Sequence, residues 1–459
     1  MFFTQIFTPG LAHCSYVIGG KNECLVVDPA RDVERYLEAA ASFGLPITAV
    51  LETHLHADFV SGHLDLAQQT GARIYAPAAA NCAFPHTAMQ SGETFIFDTI
   101  AIQLLETPGH TPESSFFLVT DRERGNEPIL AFSGDTLLVG DVGRPDLFPA
   151  QQNELAEKLY HSLHRIKELG DNVEIYPAHG MGSLCGRSLS AKLWTTMGTE
   201  RRYNYALQLN TLEQFRKELL TGMPEVPDHF TRCSEINRLG PVPLGELAPP
   251  QPLHVREFAR HLTEGAVIVD TRDYLSFAAA HIPGSFSVGL KGTFSTFAGW
   301  VIPPDRPLLL VNETEQEMPQ VLTGLRRVGL DNVSGYLHGG MGEWINSGME
   351  TGHIEILNVS ELQRLIKTTN SLVVLDNRLK KEWDEGHIKG TIHVPAPDVR
   401  HRAAEWSTRE PLVTLCNTSN RSILAASLLK QRGFEKVFNV IGGTTAWKAA
   451  AYPLTTNNK

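Results

Sequence analysis

Apolar and polar positions alternate along the first half of the chain in a pattern typical of short strands separated by helices. Runs rich in Val, Ile and Leu predict strands at Cys14–Gly19 and Ile47–Leu51. A 3.6-residue apolar period predicts a helix over Val33–Phe43. The pattern stops at Leu239–Pro252, where Pro and Gly dominate and a linker is expected. We therefore predict one α/β domain over residues 1–238.

After this linker the chain repeats itself. Four landmarks recur in the same order: Asp270–Arg272 and Asp376–Arg378, His281–Gly284 and His387–Gly390, Pro307–Leu309 and Pro411–Val413, and Gly339-Gly340 before Trp344 and Gly442-Gly443 before Trp447. Apolar strand patterns alternate with helical patterns in both copies. The repeat predicts two similar α/β domains, at residues 251–351 and 354–459.

Composition narrows the class of protein. A formal net charge of −11 argues against nucleic acid or an anionic membrane as a partner. The chain has no run of about 18 apolar residues, so no transmembrane helix is expected, and its start lacks the basic residues of a secretory signal. Six scattered cysteines without a Cys-x-x-Cys pair fit a reducing cytosol. We expect a cytoplasmic protein, and the sequence leaves open whether it is a homo-oligomer.

Residues of the kind that bind metals follow several apolar strands of the first domain. Six of them are His54, His56, Asp58, His110, Asp135 and His179. The first three alternate directly after a strand, and extended backbone would place them on one side of the chain. Any one of these histidines alone is more often a surface or hydrogen-bonded residue, as we expect of His13, and His63 is expected to be a structural residue at a helix start. The whole set predicts a metal site, because a divalent ion gathers side chains from across a fold.

This set resembles the metallo-β-lactamase superfamily over nearly all of residues 1–235. The resemblance implies an αββα sandwich. Within the superfamily the chain is most similar to the persulfide dioxygenases, and glyoxalase II is the neighbouring branch. Dinuclear members carry a histidine directly after the motif aspartate, whereas this chain has Phe59 there. With only Asp58 and His179 left in the second metal pocket, a mononuclear site is favoured.

The resemblance to the dioxygenases implies one Fe(II) per chain, with zinc as a substitute. The implied ligands are His54, His110 and Asp135. Two histidines and one carboxylate leave coordination positions open for O₂ and a sulfur ligand.

Other residues of the set are expected to surround these ligands. His56, Asp58 and His179 would order the ligands and their waters, or remain from a second metal pocket. Arg144 lies in a segment that resembles the Gly-Arg-x-Asp segment of the dioxygenases. It is expected to bind a substrate carboxylate or to pair with Asp146.

The last domain holds a cysteine between a strand and a helix. The strand Leu412–Leu415 precedes Cys416, and a helical pattern begins soon after it and ends at Gly433. Loop amides and a helix N-terminus favour the thiolate and a nearby anion. Arg421 adds a cation for the oxygens of sulfite or thiosulfate. With its flanking landmarks this segment resembles a single-domain rhodanese, which implies that Cys416 and Arg421 are catalytic.

The middle domain has the same sequence landmarks but lacks the cysteine and the arginine of the last domain. Asn312 stands where Cys416 would be, and Glu317 stands where Arg421 would be. An amide cannot carry a sulfane sulfur, and a carboxylate repels sulfur oxyanions. A structural or docking role is expected for this domain.

Together these features predict a persulfide dioxygenase and sulfurtransferase of sulfide oxidation. It would oxidise a low-molecular-weight persulfide with O₂ to sulfite and exchange sulfane sulfur with sulfite or thiosulfate at Cys416. One alternative is a glyoxalase II-like thioester hydrolase fused to a sulfurtransferase. Another is a sulfur-relay or scaffold protein with a degraded first domain. The identity of the thiol carrier and the role of Cys185, most simply a buried structural thiol, stay open.

Overall fold

Short strands separated by helices run along the chain, as the alternating sequence pattern predicts. The protein is represented by a computed structural model, which describes residues 1–223, 225–369 and 372–456. The chain divides into a first unit, Met1–Leu247 with Leu325–Gly329, and a second unit, Ala248–Gly324 with Leu330–Lys459.

Two six-stranded sheets form the first unit. One sheet holds β1 (Phe2–Thr8), β2 (His13–Gly19), β3 (Cys24–Val27), β4 (Ile47–Leu51), β5 (Arg73–Pro77) and β6 (Thr87–Met89), in that order. The other holds β7 (Thr94–Phe97), β8 (Ile100–Glu106), β9 (Ser115–Asp121), β10 (Leu130–Gly134), β11 (Glu174–Pro177) and β12 (Thr195–Thr196), also neighbours in that order. The helices are α1 (Glu34–Phe43), α2 (His63–Thr70), α3 (Gln152–Ile166), α4 (Met197–Tyr203), α5 (Leu212–Leu219) and α6 (His229–Leu239).

The two sheets enclose the main core of this unit. Tyr16 and Leu51 of one sheet and Phe132 of the other are all fully buried in it. Helices cover the outer faces: Tyr36 of α1 packs on the first sheet and Leu159 of α3 on the second. The layers are therefore helix, sheet, sheet, helix, and the expected α/β sandwich is confirmed.

The second unit contains two five-stranded parallel sheets. Its strands are β13 (Gln251–Leu253), β14 (Val267–Asp270), β15 (Phe286–Ser287), β16 (Leu308–Val311), β17 (Val333–Leu337), β18 (Glu355–Leu357), β19 (Val373–Asp376), β20 (Ile392–His393), β21 (Leu412–Leu415) and β22 (Val437–Val440). Its helices are α7 (Val255–Thr263), α8 (Tyr274–Ala279), α9 (Phe294–Val301), α10 (Met318–Arg326), α11 (Gly340–Asn346), α12 (Val359–Thr368), α13 (Lys380–Glu385), α14 (Val399–Arg402), α15 (Asn420–Gln431) and α16 (Gly443–Ala449).

These two sheets have the same topology. Their strand orders are β13-β17-β16-β14-β15 and β18-β22-β21-β19-β20. In both, the Asp-x-Arg landmark is an ion pair at a strand end: Arg272 binds Asp270 at 2.7 Å, and Arg378 binds Asp376 at 2.7 Å. The repeat seen in the sequence is thus a repeat of fold. None of the helices among the described residues combines the length and the apolar character that spanning a bilayer requires.

Candidate metal centre and cysteine site

Loops that follow strands bring the predicted metal ligands together. His54 lies three residues beyond β4, His110 lies beyond β8, Asp135 directly follows β10, and His179 lies just beyond β11. These four side chains are all at most 1 % exposed. Burying so many ionisable groups is unfavourable unless they pair or hold an ion. This arrangement therefore points to a binding centre.

The first group of ligands consists of His54, His110 and Asp135, whose ligand atoms lie within 4.8 Å of one another. Asp135 Oδ2 lies 3.4 Å from His110 Nε2 and 3.9 Å from His54 Nε2. The Nδ1 atom of each imidazole contacts an oxygen atom on the side away from Asp135. His54 Nδ1 contacts Thr53 Oγ1 at 2.8 Å, and His110 Nδ1 contacts the Arg144 carbonyl oxygen at 2.9 Å. Both rings therefore present Nε2 to one point, as metal-binding histidines do.

A second group, His56, Asp58 and His179, also converges. His179 Nε2 lies 2.9 Å from Asp58 Oδ2, and its Nδ1 lies 2.8 Å from Asp135 Oδ1. The same three residues were expected to surround the implied ligands or to remain from a second metal pocket. The backbone is not an extended strand at His54, His56 and Asp58, because β4 ends at Leu51. The rings of His54 and His56 nevertheless lie 4.2 Å apart, centre to centre.

Phe59 packs among these histidines. Its buried ring lies 4.2 Å from the ring of His13 and 4.4 Å from that of His56, centre to centre. Neither ring nitrogen of His13 or of His56 has a hydrogen-bond partner among the described residues. His13 was expected to be an unremarkable surface or hydrogen-bonded residue. Its place here went unnoticed because it comes from the start of β2, far from the motif in sequence.

The protonation states of the buried histidines and of Asp135 suit the binding of a divalent metal ion. Burial lowers the pKa of His54 and of His110, so both imidazoles are neutral. Burial opposes ionisation of Asp135, but His179, His110 and His54 together lower the pKa of that carboxyl far below its usual value. In His179 burial lowers the pKa, and Asp135 and Asp58 raise it well above normal.

Neutral imidazoles beside an ionised carboxylate are the ligand states that divalent ions require. Nε2 of His110 is buried without a hydrogen-bond partner among the described residues. The residues present therefore fit a divalent metal ion.

Two further buried groups adjoin the centre. Cys185 is 1 % exposed, and its sulfur belongs to a cluster with Asp135 and His179. Burial, and then Asp58, raise the pKa of its thiol well above normal. His229, the first residue of α6, is also buried, and burial lowers its pKa to about 4. The short distance in sequence from His179 pointed to Cys185, whereas nothing in the local pattern pointed to His229.

Arg144 forms the ion pair that the sequence allowed. Its Nε and Nη2 donate to the two carboxylate oxygens of Asp146 at 2.7 and 2.8 Å. Nη1 donates to the Leu184 carbonyl oxygen at 3.2 Å, and the residue is 1 % exposed. Its carbonyl oxygen contacts His110, so the pair positions a ligand loop. A contact with substrate stays a prediction.

Cys416 lies where the sequence placed it, directly after β21 and four residues before α15. Its side chain is 1 % exposed. Ser422 Oγ of α15 donates a hydrogen bond to Cys416 Sγ at 3.3 Å. Ser419 has a φ of 81°, which turns the loop sharply into the helix. The sulfur is thus held at the N-terminal turn of a twelve-residue helix, where an anion is favoured.

Arg421 is held by a carboxylate. Its Nη2 donates to Glu382 Oε1 at 2.8 Å, and its Nη1 donates to Glu382 Oε2. Asn417 Nδ2 also donates to Glu382 Oε1, at 2.5 Å. Burial opposes ionisation of Glu382, but Arg421 lowers the pKa of that carboxyl below its ordinary value. Glu382 therefore fixes both ends of the loop between Cys416 and the helix.

The middle domain holds an amide at the same place in its fold. Asn312 directly follows β16, and its Oδ1 accepts a hydrogen bond from Thr271 Oγ1 at 3.0 Å. Glu317 turns back toward the loop and accepts from the Thr314 amide at 3.4 Å. The loop therefore offers an amide and a carboxylate where the last domain offers a thiol and a guanidinium.

Two families of known proteins match this chain, one in its first half and the other in its second half. The model of the metallo-beta-lactamase superfamily matches residues 8–179. The model of the rhodanese-like domain matches twice, at residues 254–347 and 358–450. The second matched segment contains Cys416, and the first contains Asn312.

Among curated proteins, the mitochondrial persulfide dioxygenase ETHE1 of Bos taurus is 30% identical over 217 residues, covering 46% of this chain and 78% of that protein. A hydroxyacylglutathione hydrolase of Methylobacillus flagellatus is 34% identical over 233 residues, covering 46% of this chain and 79% of that protein. A solved metallo-beta-lactamase structure from Staphylococcus aureus is 31% identical with a TM-score of 0.68, covering 73% of this chain and 99% of that one.

Proposed function

Because this chain belongs to the metallo-β-lactamase superfamily and carries two rhodanese-like domains, we propose that it is a persulfide dioxygenase coupled to a sulfurtransferase. The observation that carries the proposal is the convergence of His54, His110 and Asp135. Two neutral imidazoles and one carboxylate are the ligand set of non-haem Fe(II) oxygenases. Fe(II), when bound, supplies open coordination positions and redox chemistry for joining O₂ to sulfur.

The residues around this ligand set orient the two imidazoles and favour the binding of a single metal ion. Thr53 and the Arg144 carbonyl oxygen hold the two imidazoles with Nε2 facing Asp135. Phe59 puts an apolar ring where a further imidazole would otherwise bind metal, which favours a single ion. The overall reaction balances as RSSH + O₂ + H₂O giving RSH, sulfite and two protons. The outer sulfur is oxidised, and the S–S bond breaks.

Cys416 performs the second reaction. Its thiolate attacks the outer sulfur of thiosulfate, the S–S bond of thiosulfate breaks, and sulfite leaves with the bonding pair. Cys416 then carries a persulfide. In the opposite direction sulfite takes this sulfur and leaves as thiosulfate. Helix α15 stabilises the anionic sulfur in both states, and Glu382 keeps Arg421 beside the loop.

A glyoxalase II-like thioester hydrolase is the second candidate for the first domain. It is favoured by the convergence of His56, Asp58 and His179 into a second group that could hold metal. It is also favoured by the 34% identity to a hydroxyacylglutathione hydrolase. The side chains of both groups would hold zinc ions, which would supply Lewis-acid activation of water for thioester hydrolysis.

Metal content and oxygen uptake separate the two candidates. Protein from iron-replete cells should contain about one iron ion per chain, following the two-histidine, one-carboxylate set. Loaded anaerobically with iron and given glutathione, coenzyme A or bacillithiol persulfide, it should consume O₂ and release an equal amount of sulfite. About two zinc ions per chain, with thioester hydrolysis and no oxygen uptake, would reject the dioxygenase in favour of the hydrolase.

A further inference from the structure

A cavity of about 310 Å³ in the second unit lies beside the Cys416 loop. The last domain contributes Thr418 of that loop, and Asn420 and Arg421 of the first turn of α15, to its lining. The middle domain contributes part of the segment 287–297, including Lys291. Cys416 itself is not among the lining residues, so the cavity adjoins the reactive sulfur and suits the body of a substrate better than its sulfur atom.

The wall from the middle domain is fixed to the last domain. The Ser287 amide donates a hydrogen bond to Ser427 Oγ of α15 at 3.2 Å. Ser287 is fully buried, and its Oγ has no hydrogen-bond partner among the described residues. One helix, α15, thus anchors this wall and also carries the cysteine loop at its N-terminus. The cavity is therefore part of the folded unit and does not depend on a ligand to form.

The cavity combines one unpaired cation with an apolar lining. Lys291 is exposed and makes no hydrogen bond or ion pair with any residue that the structure describes. Arg421, in contrast, is already paired with Glu382. Phe294 of the middle domain and Leu424 of the last domain are buried side chains that give the cavity an apolar lining. An unpaired ammonium beside apolar side chains suits a ligand with an organic body and an anionic group.

The volume of the cavity suits an organic ligand better than it suits thiosulfate. Pockets for small organic molecules occupy roughly 300–1,000 Å³, and this cavity of about 310 Å³ falls at the lower end of that range. Thiosulfate, an ion of five heavy atoms without an apolar part, leaves most of the cavity and its Phe294 and Leu424 surface unfilled. A thiol carrier of peptide size makes use of both features.

We propose that the middle domain is the specificity half of the sulfur-transfer site, with Lys291 binding the carboxylate of an organic persulfide whose outer sulfur is passed to Cys416. This rests on the proposed sulfur transfer at Cys416 and names its donor class. In the step, the Cys416 thiolate attacks the outer sulfur of RSSH, the S–S bond breaks, and RS⁻ leaves with the bonding pair. Lys291 is a positioning residue, since it holds the carrier and not the reacting sulfur.

Two variants of the full chain test the proposal, one by charge and one by volume. Lys291→Ala removes the cation. Gly289→Leu narrows the cavity, and it is tolerable because a Cβ there meets only the Arg272 carbonyl oxygen, at 3.5 Å. Lys389→Ala is the matched control, an exposed lysine of the last domain outside the cavity lining.

The assay is anaerobic, so that no oxygen-dependent sulfite forms, and it follows thiosulfate made from glutathione persulfide and sulfite. The rate with Cys416→Ser is subtracted as the uncatalysed background. Lys291→Ala and Gly289→Leu should each raise KM for glutathione persulfide about tenfold, the factor that corresponds to about 1.4 kcal/mol of lost binding. Their kcat should change less than about twofold, because the reacting groups are untouched. KM for thiosulfate with cyanide as acceptor should rise much less, and Lys389→Ala should match the unaltered protein.

Unchanged KM for glutathione persulfide in both variants overturns the inference and leaves sulfur transfer at Cys416 standing. An equal rise in KM for thiosulfate also overturns it, because the site then recognises the sulfur oxyanion alone. If the unaltered protein is no faster than Cys416→Ser, the proposed sulfur transfer itself fails, and the inference fails with it.

Discussion

Asp135 is the residue on which the metal centre depends most. Its two carboxylate oxygens contact His179, His110 and His54, which come from three separate loops. Removing the carboxylate would leave two imidazoles of the first ligand group without their anionic partner. Metal binding and the charge balance of the centre would both be lost.

We therefore expect Asp135→Ala to abolish oxygen consumption and leave sulfur transfer at Cys416 nearly unchanged. The fall should exceed about 100-fold, because even residues that only support a ligand typically cost 10–100-fold. An oxygen electrode and a cyanide-accepting sulfurtransferase assay on one preparation measure the two activities. Asp171→Ala, which changes an exposed aspartate of the first unit, is the control. Loss of both activities would contradict the assignment of the two reactions to separate domains.

The ligands were identifiable from sequence because each lies within a few residues of the end of an apolar strand. Their grouping came from the family resemblance and not from the local pattern, because no strand beyond Leu51 fixes the alternation of side chains. His13 and His229 could not be predicted either. They approach the centre from the start of β2 and of α6, and such long-range contacts leave no local pattern.

At the scale of elements, the same strand–loop–helix unit occurs twice with different chemistry. β16 leads into Asn312, and β21 leads into Cys416. The strand boundaries were predictable, since Leu412–Leu415 is the strand that the apolar run indicated. The role of Glu382 in fixing the cysteine loop was not predictable, because it comes from α13, in a part of the sequence far from the loop.

Moving the thiol to the other copy should not move the activity. We expect Cys416→Ser to remove cyanide-accepting sulfurtransferase activity entirely, because a serine hydroxyl cannot form a persulfide. Adding Asn312→Cys to this variant should restore none of it, since Glu317 still opposes a sulfur oxyanion. Thiocyanate formation from thiosulfate and cyanide measures both variants. Restoration to the full rate would mean that the middle loop is a working site.

One buried histidine, His281, should make the second unit less stable in acid. His281 is 2 % exposed and stacks on Phe277, with ring centres 4.2 Å apart. Burial lowers its pKa to about 4. Between pH 6.5 and this value the unfolded chain binds a proton that the folded chain does not bind. Stability is therefore present at neutral pH and is lost as the pH falls through this range.

The loss should reach about 3 kcal/mol in the free energy of unfolding, because each pKa unit corresponds to about 1.4 kcal/mol. Urea unfolding of the full chain at pH 7, 6, 5 and 4 measures it, followed by a probe in the second unit. His281→Gln should flatten this pH dependence, whereas His401→Gln, at an exposed histidine, should not. An unchanged slope in His281→Gln would contradict the role of burial.

At the scale of the whole molecule, the proposed function joins a producer of sulfite to a consumer of sulfite in one chain. Tethering raises the effective concentration of one product near the next site when the linker lets them meet. The proposed first reaction releases sulfite, and the Cys416 persulfide is a sulfur donor to sulfite. The two activities together would convert a persulfide into thiosulfate.

With excess persulfide and oxygen, the intact protein should release mainly thiosulfate. Cys416→Ser should consume oxygen at a similar rate and release mainly sulfite, because nothing then transfers sulfur to it. Chromatography of both anions over time, at low persulfide and with the uncatalysed reaction subtracted, gives the ratio. A Cys416→Ser protein that still forms thiosulfate in the original proportion would indicate the reverse order, in which Cys416 supplies persulfide to the first domain.

The double glycine at the start of α16 affects how far the sequences of the two rhodanese-like domains can diverge during evolution. A Cβ on Gly443 would lie 1.9 Å from the Cys416 carbonyl oxygen, whereas one on Gly340 would lie 3.9 Å from that of Asn312. Both glycines have positive φ, so any substitution brings some backbone strain. Only Gly443 adds a collision with the reactive loop. Natural variants should therefore accumulate at position 340 and be purged at position 443 for as long as Cys416 is under selection.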